Sequence, residues 1–378
     1  MHISERARRL HAGALVIDAH VHPSLKTYLF HKKLGKTHRS GGAFNPFTMR
    51  VDLPRTIAGG VAALISSIYL PERGLLDDCK VLKFLRKISF GRIRRLFKGD
   101  PLERTLEILD QFERAIAKAN SHGRELARVV QSTDELLQAR ADGVIAVVHA
   151  VEGAHSLGGR VESVATLAER GVCMLTLAHF YENEVVAPVV GIPRSMQKLG
   201  CFKQPKDLDR GLGEIGPAVV EEMLRLGMII DLTHCTPKAR HEIYDLCGTR
   251  RPLMFSHVGV QPLADDPMSP TAEEIVRIAG TGGVIGVIFM NYWLGEHSKK
   301  KGLDAIVATV RRIVEVGGSD AVAIGSDFDG FTDPPDDIKD ISQMPRLTDA
   351  LLDAGFGEPE VEKILGKNME RVLRLGWR

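Results

Sequence analysis

Residues 16–23 read VIDAHVHP, an apolar run that ends in two histidines, His20 and His22. Side chains alternate between the two faces of a β-strand, so residues two apart lie on the same face. Two imidazoles on one face supply half of a typical divalent-metal site. HxH pairs also occur by chance, and a histidine at a strand end is often only a hydrogen-bonded polar residue. The stretch predicts a buried strand whose C-terminal end is a candidate metal site.

The same pattern recurs along the chain. Seven further apolar runs fit buried strands, at residues 59–69, 144–153, 173–179, 228–234, 252–257, 283–291 and 321–327. Most of them are followed by apolar residues at helical spacing, as in 102–119 and 303–316. Apolar strands that alternate with helices are typical of a parallel sheet covered by helices.

Eight such units in 378 residues predict one (β/α)₈ TIM barrel over residues 1–378, with a C-terminal helix at 358–375. A doubly wound open sheet is the alternative, but its strand ends do not meet at one point. In a barrel the C-terminal strand ends share one rim, where barrel active sites lie. The later strands end in polar residues that would meet at this rim: Glu152, His179, His234, His257 and Asp327.

Composition narrows the class of protein. A hydrophobic content of 44% and a charged content of 26% are typical of a soluble globular chain, and a net charge of +2 gives no reason to expect nucleic acid as a partner. No apolar run reaches the roughly 20 residues of a membrane span, and no signal peptide or lipidation motif is recognisable. Five scattered cysteines without a CxxC pair argue against a disulfide framework. We therefore expect a cytoplasmic protein without a membrane anchor.

Residues 71–100 form a basic segment, with eight lysines and arginines between Cys79 and Lys98. It could bind an anionic surface, or it could be the solvated face of a surface helix. Apolar residues at helix-like spacing, such as Leu82, Leu85 and Ile88, favour the helical excursion.

The predicted rim carries more metal ligands than one tetrahedral zinc with an open position requires. They suit two divalent cations about 3.5–4 Å apart with a water molecule between them. Glu152 would bridge the two cations. The imidazoles would come from four histidines: His20, His22, His234 and His257.

Further residues at the rim have the chemistry of an amide or ester hydrolase. Asp327 would take a proton from the attacking water and pass it to the leaving group. His179 would donate a hydrogen bond to the carbonyl oxygen as negative charge develops. His155 would hold a metal ligand in place. His149 lies three positions before Glu152 on the same predicted strand, so its side chain faces the opposite side. We therefore expect it to pack against the helices.

Several motifs resemble the membrane (renal-type) dipeptidase family of zinc peptidases. They are VEGAHS at 151–156, LTLAH at 175–179, LGMIIDLTH at 226–234, FSH at 255–257, IGSDFDG at 324–330 and ILGKNMERV at 364–372. The resemblance implies a (β/α)₈ barrel of the amidohydrolase superfamily. It also implies dipeptide hydrolysis by attack of metal-bound hydroxide at a binuclear zinc centre, and a homodimer. Some members of the family act on N-acyl amino acids or open β-lactams.

The resemblance implies a role for each matching residue. Glu152 would be the bridging carboxylate, with His20 on the first metal and His234 and His257 on the second. Asp327 would handle the proton, and His179 would face the substrate. These roles agree with those argued from the chemistry of the side chains.

The sequence departs from the family pattern in two places. The family's first motif is usually His-x-Asp, and the His20-Val21-His22 motif here lacks that negative charge, which alters metal affinity or preference. The family usually places an arginine after the Ser-His motif to hold the substrate carboxylate. Residues 258–270 contain no arginine, which argues against a simple dipeptide with a free C-terminus. Arg194 could take its place.

We therefore predict a metallodipeptidase that uses two divalent cations, with zinc as the expected metal. An enzyme acting on an N-acyl amino acid, lactone or ester is the first alternative, and the missing arginine favours it. A non-catalytic metal-binding barrel is the second, since a fold alone does not guarantee chemistry. The presence of Glu152, His179 and Asp327 together argues against that second alternative.

Overall fold

The strands of the computed structural model lie where the apolar runs predict them. The structure describes residues 3–38, 45, 47–78, 95–121, 123–189, 207–295 and 302–377. Within these ranges the strands are β1 (Ile17–Val21), β2 (Ala63–Tyr69), β3 (Ala127–Val129), β4 (Ile145–Glu152), β5 (Val172–Thr176), β6 (Ile229–Asp231), β7 (Leu253–Val258), β8 (Val284–Val287) and β9 (Val322–Ile324).

Eight of these strands close into a parallel barrel in the order β1-β2-β4-β5-β6-β7-β8-β9. Closure occurs at β1, where Asp18 pairs with Leu64 of β2 on one side and with Ile324 of β9 on the other. The predicted (β/α)₈ barrel is confirmed. The short strand β3, which the sequence analysis did not predict, pairs with the first half of β4 beside the ring.

Helices surround the barrel. They are α1 (Glu5–Gly13), α2 (Pro23–Phe30), α3 (Leu53–Ala58), α4 (Arg73–Asp78), α5 (Pro101–Asn120), α6 (Thr133–Ala141), α7 (Ser163–Glu169), α8 (Gly216–Leu226), α9 (Pro237–Cys247), α10 (Ala272–Gly280), α11 (Leu303–Gly317), α12 (Met344–Asp353), α13 (Glu358–Glu362) and α14 (Asn368–Gly376). A π-helical turn, Lys363–Lys367, joins α13 to α14 where the C-terminal helix is predicted. No helix in the described ranges is both long and apolar enough to cross a membrane.

Local sequence explains the longest of these helices. Asp100 caps α5 by accepting hydrogen bonds from the amides of Leu102 and Glu103, and Pro101 occupies the first turn, where its missing N–H costs nothing. The helix then buries Phe112 on its barrel-facing side. The basic segment 71–100 begins with α4, and its residues 79–94 lie outside the described ranges, so the predicted helical excursion there stays a prediction.

The barrel interior is filled below the rim by an apolar layer to which every strand of the ring contributes. Its members include Ile17, Ala63, Ala146, Met174, Ile229, Met254, Val284 and Ala323. This packed layer closes the barrel from below, so the polar residues at the strand ends stand on an apolar floor.

Two β-bulges aim side chains at the rim. In β1 the pairing with β2 shifts by one residue between Asp18 and Val21. On a regular strand His20 would face away from the interior layer that holds Ile17 and Ala19. The extra residue changes the facing of the strand end. A shift of one residue between Phe255 and Val258 does the same beside His257 in β7.

Candidate metal centre

The Glu152 carboxylate lies at the centre of the rim, 3% exposed at the end of β4. Its two oxygens face the Nε2 atoms of five histidines, which we call the rim histidines. Oε1 lies 3.4 Å from His20, 3.6 Å from His257 and 3.7 Å from His234, and Oε2 lies 3.3 Å from His22 and 3.6 Å from His179.

Four of the rim histidines form two pairs of ring nitrogens. The Nε2 atoms of His20 and His22 are 2.9 Å apart, and those of His234 and His257 are 3.3 Å apart. Each pair lies within ligand distance of Glu152, so the carboxylate is common to both groups. The structure thus brings together all five residues that the sequence analysis selected as metal ligands.

Hydrogen bonds on the far side of two rings leave the Nε2 lone pairs free for a cation. The Ser256 hydroxyl donates to Asp231 Oδ2 at 2.6 Å and therefore accepts from His257 Nδ1–H at 2.8 Å. His20 Nδ1 lies 3.1 Å from the Ser67 hydroxyl, which can accept in the same way. This tautomer, with the proton on Nδ1, is the one that a metal ligand through Nε2 requires.

Asp231 orients the centre, although sequence reasoning did not select it. Its oxygen atoms lie near His20 and His257 at ligand distance. Both oxygens are occupied, however, because they accept five hydrogen bonds from the amides and hydroxyls of Thr176, Thr233 and Ser256. A carboxylate with that many donors holds the strand ends in place. The signal for it was a carboxylate three residues before His234, within the same predicted strand at 228–234.

The ionisation of the rim fits a cation site. Burial lowers the pKa of His22 and of His234 to about 3 and that of His257 well below its usual value, so these rings are neutral, as ligands must be. At His20 burial is again the largest effect and lowers the pKa, but the charge and hydrogen bond of Glu152, together with the charges of Asp327 and Asp231, outweigh it and raise the pKa. The surrounding negative charge therefore favours a cation beside Glu152.

The buried carboxylates of the rim also favour a cation site. Asp18, Glu152, Asp231 and Asp327 are all buried carboxylates in or beside the rim. A buried carboxylate is unfavourable in its ionised form at low dielectric unless a cation neutralises it. Divalent cations among these side chains would supply that positive charge. By their donor set and tautomers, the residues present fit divalent metal binding.

Asp327 stands next to the first histidine pair. Its Oδ1 lies 3.4 Å from His22 Nε2, and its amide donates to the His20 carbonyl at 2.9 Å. Burial raises its pKa to about 8 against the opposing effect of His20. Its backbone is left-handed, with φ of 55°, and so is that of His234, with φ of 69°. Such strain is held in place by surrounding contacts and concentrates at functional sites.

The remaining predicted residues lie around this centre. His155 Nε2 bonds to the Leu70 carbonyl at 2.6 Å, in the segment after β2, so its role in holding a metal ligand stays a prediction. His149 faces the helices as expected, with Nε2 3.2 Å from Glu113 of α5. Arg194 lies outside the described ranges. Arg240 reaches the Pro267 carbonyl within 258–270, but it is buried and paired with Glu274.

The model of the membrane dipeptidase family, peptidase family M19, matches residues 4–375. The chain belongs to this family. Among its relatives are an uncharacterized dipeptidase of Schizosaccharomyces pombe, 30% identical over 225 residues (59% of this chain and 51% of the relative), and the dipeptidase tcpJ of Claviceps purpurea, 27% identical over 327 residues (86% and 68%). The match to the fission yeast protein thus spans about half of that relative's length.

Solved structures support the barrel of this membrane dipeptidase family member. A metallopeptidase from Rhodobacter sphaeroides, liganded with a phosphinate mimic of the dipeptide L-Ala-D-Ala, superposes with a TM-score of 0.77. The two chains are 22% identical, and the match covers 96% of this chain and 99% of the other.

Proposed function

We propose that this membrane dipeptidase family member is a metal-dependent hydrolase that cleaves the amide bond of a dipeptide. Family membership and the ligand of the Rhodobacter sphaeroides structure support the substrate class. The observation that carries the proposal is the Glu152 carboxylate, buried and common to two histidine pairs. A shared carboxylate between two imidazole pairs is suited to two cations that act on one water molecule.

The proposed cofactors are two divalent cations, with zinc as the metal. One would be held by His20, His22 and Glu152, and the other by Glu152, His234 and His257. When bound, the cations would make a water molecule acidic and polarise the substrate carbonyl. Imidazole nitrogens suit zinc, copper, nickel and iron better than they suit magnesium or calcium, which supports a transition metal or zinc.

The chain's own residues would move the proton and stabilise the developing charge. As the water oxygen bonds to the carbonyl carbon, Asp327 takes the water proton. His179 donates its Nε2–H to the carbonyl oxygen while that oxygen carries negative charge. Asp327 then gives the proton to the amide nitrogen as the carbon–nitrogen bond breaks, which yields an amine and a carboxylic acid that loses its remaining proton to solvent. Because the rim is buried, these charges lie at low dielectric, where electrostatic interactions are stronger than in water.

A second candidate substrate is an N-acyl amino acid, lactone or ester. Residues 258–270 contain no arginine. Two arginines elsewhere in the chain reach backbone carbonyls of this segment: Arg312, at Gln261, and Arg240, which is neutralised by Glu274 at 2.6 Å. A substrate without a free carboxylate at that position would need no arginine clamp. A panel that pairs each dipeptide with its amidated and N-acylated forms separates the two candidates.

We also propose a single-domain, cytoplasmic homodimer. The three cysteines in the described ranges, Cys173, Cys235 and Cys247, are buried free thiols, which supports a reducing compartment. The homodimer rests on the family resemblance, and light scattering of the purified protein tests it.

Metal content and hydrolysis test the proposed function together. Wild-type protein should contain about two metals per chain and hydrolyse dipeptides, and a chelator should abolish the activity. Glu152→Gln should lose metal and at least about 100-fold in kcat/KM. Glu169→Gln, at the exposed end of α7, is the matched control and should behave as wild type. About one metal in both wild type and Glu152→Gln, or hydrolysis that survives the change, would contradict the proposal.

A further inference from the structure

Glu72 is a buried carboxylate that the sequence analysis did not select. It lies three residues after the end of β2, at the start of the basic segment, and is 3% exposed. Its Oε1 accepts hydrogen bonds from His179 Nδ1 at 3.0 Å and from the Phe180 amide at 2.9 Å. Its Oε2 accepts one from the Tyr69 hydroxyl at 2.5 Å. Both carboxylate oxygens are therefore fixed, one of them by the segment that carries His179.

Aromatic neighbours restrict the tilt of the His179 ring. Its centroid lies 3.7 Å from that of Phe180, 4.6 Å from that of Tyr69 and 4.8 Å from that of His234. Such contacts still permit two ring orientations, related by a flip about the Cβ–Cγ bond. The hydrogen bond from Nδ1 to Glu72 selects the orientation in which Nε2 faces Glu152, 3.6 Å from Oε2.

Charge strengthens this contact. Burial is the largest effect on Glu72 and would raise its pKa, but the charge and hydrogen bond of His179, the charge of His155 and the hydrogen bond of Tyr69 together lower the pKa to about 2. His179 Nδ1 thus donates to an ionised carboxylate in a hydrogen bond that is excluded from water, and such hydrogen bonds are stronger than neutral ones. With Nδ1–H bound by Glu72, His179 has only its Nε2–H to offer to a substrate.

We propose that Glu72, held by Tyr69, is a positioning residue that orients His179 and keeps its Nε2–H directed at the oxygen of the scissile carbonyl. Glu72 acts through His179 and does not contact the substrate. The inference rests on the proposed function, because it needs an amide carbonyl at the rim. It also assigns a function to Glu72, at the start of the basic segment 71–100, for which the sequence pattern indicated none.

The Glu72→Gln variant removes the negative charge of the side chain but keeps its size and shape. Its amide oxygen can still accept from His179 Nδ1 and from the Phe180 amide, but the negative charge is gone. We expect kcat to fall by about 10–100-fold, KM to stay within about twofold and metal content to be unchanged. Tyr69→Phe should cause a smaller fall in kcat. Glu113→Gln is the matched control, because Glu113 pairs with the buried His149 on the outer side of the barrel, and its kcat should equal that of wild type.

A double variant tests whether Glu72 acts through His179. Adding Glu72→Gln to His179→Gln should cause no further loss of kcat beyond that of His179→Gln alone. A multiplicative loss would overturn the inference. So would a kcat unchanged in Glu72→Gln, or a fall in kcat that is matched by an equal loss of bound metal.

Nuclear magnetic resonance gives a readout that does not depend on activity. In protein labelled with ¹⁵N-histidine, the His179 Nδ1–H should give a low-field proton resonance, assigned by its absence in His179→Gln. It should be lost or shifted upfield in Glu72→Gln and retained in Glu113→Gln. An unchanged resonance in Glu72→Gln would overturn the inference. If wild type hydrolyses no dipeptide, the proposed function fails, while this comparison still decides whether Glu72 holds His179.

Discussion

Two histidine–glutamate pairs lie on opposite sides of the barrel wall. At the rim, His179 Nδ1 lies 3.0 Å from Glu72 Oε1, and both side chains are at most 7% exposed. In the helix layer, His149 Nε2 lies 3.2 Å from Glu113 Oε1, and the Glu113 side chain is 38% exposed. The two pairs have the same residue types and nearly the same distance, so the pairing alone does not define what each does.

The second ring nitrogen distinguishes them. His179 Nε2 faces the Glu152 carboxylate in the open end of the barrel. His149 Nδ1 is buried and has no hydrogen-bond partner within the described residues. His149 belongs to β4 as Glu152 does, but three positions earlier, so the strand directs it to the helices. A histidine–glutamate pair is therefore chemically useful only where the free nitrogen faces a site that a substrate can enter.

Replacing the histidine of each pair should produce the largest difference in activity between the two pairs. His179→Gln should lower kcat/KM by about 10²–10³-fold, because a donor to the developing negative charge is lost. His149→Gln should leave kcat/KM unchanged and lower the free energy of unfolding by about 1–3 kcal/mol, because a buried hydrogen bond is disturbed. Steady-state kinetics and chemical denaturation measure both quantities. Equal losses of activity in the two variants would remove the distinction between the pairs.

A side chain added at Gly330, next to Asp327 in the rim, should cause the next largest fall in activity. A Cβ at Gly330 would lie 2.0 Å from Asp327 Oδ1 and 2.9 Å from His22 Cδ2, so Gly330→Ala must displace Asp327. A shift of about 1 Å in a reacting group can cost up to about 100-fold in rate, and we expect a fall of about 10–100-fold in kcat.

The matched control for this change is Gly13→Ala at the end of α1, where a Cβ would meet no atom within 4 Å. Its kinetics should match those of wild type. If Gly330→Ala were as active as Gly13→Ala, Asp327 would not be the group that handles the proton.

The smallest effect should come from the pair in the helix layer, His149 and Glu113, and it should change the free energy of unfolding but not the activity. The hydrogen bond from His149 lowers the pKa of Glu113 against the opposing effect of burial. The folded chain therefore favours the ionised carboxylate, and this stabilisation is present above the ordinary pKa of 4.5 and is lost as pH falls through the lowered value. With Glu113 partly exposed, it should be below about 1 kcal/mol.

Denaturation of wild type and Glu113→Gln at a series of pH values measures this difference. It should be present near pH 6 and decrease as the pH falls below 4.5 and through the lowered pKa, where the carboxylate becomes neutral in both states. A difference that stays constant over this pH range would show that the glutamate acts by packing and not by charge.

The sequence by itself determined the eight barrel strands, the rim and the five proposed ligands. An apolar run that ends in a polar residue is a local pattern, and the parity of residues along a strand is fixed by backbone geometry. For this reason the outward facing of His149 could be predicted. The gathering of His20, Glu152 and His234 could be predicted because the C-terminal ends of barrel strands share one rim.

Only the tertiary structure decided how the centre is held. Glu72 follows a strand in an irregular segment, 107 positions from His179, and no local pattern relates the two. The bulge beside His20 and the left-handed backbone of Asp327 likewise depend on neighbouring strands. Periodicity is encoded by residues near one another in the chain. Contacts between distant segments exist only once the barrel has closed.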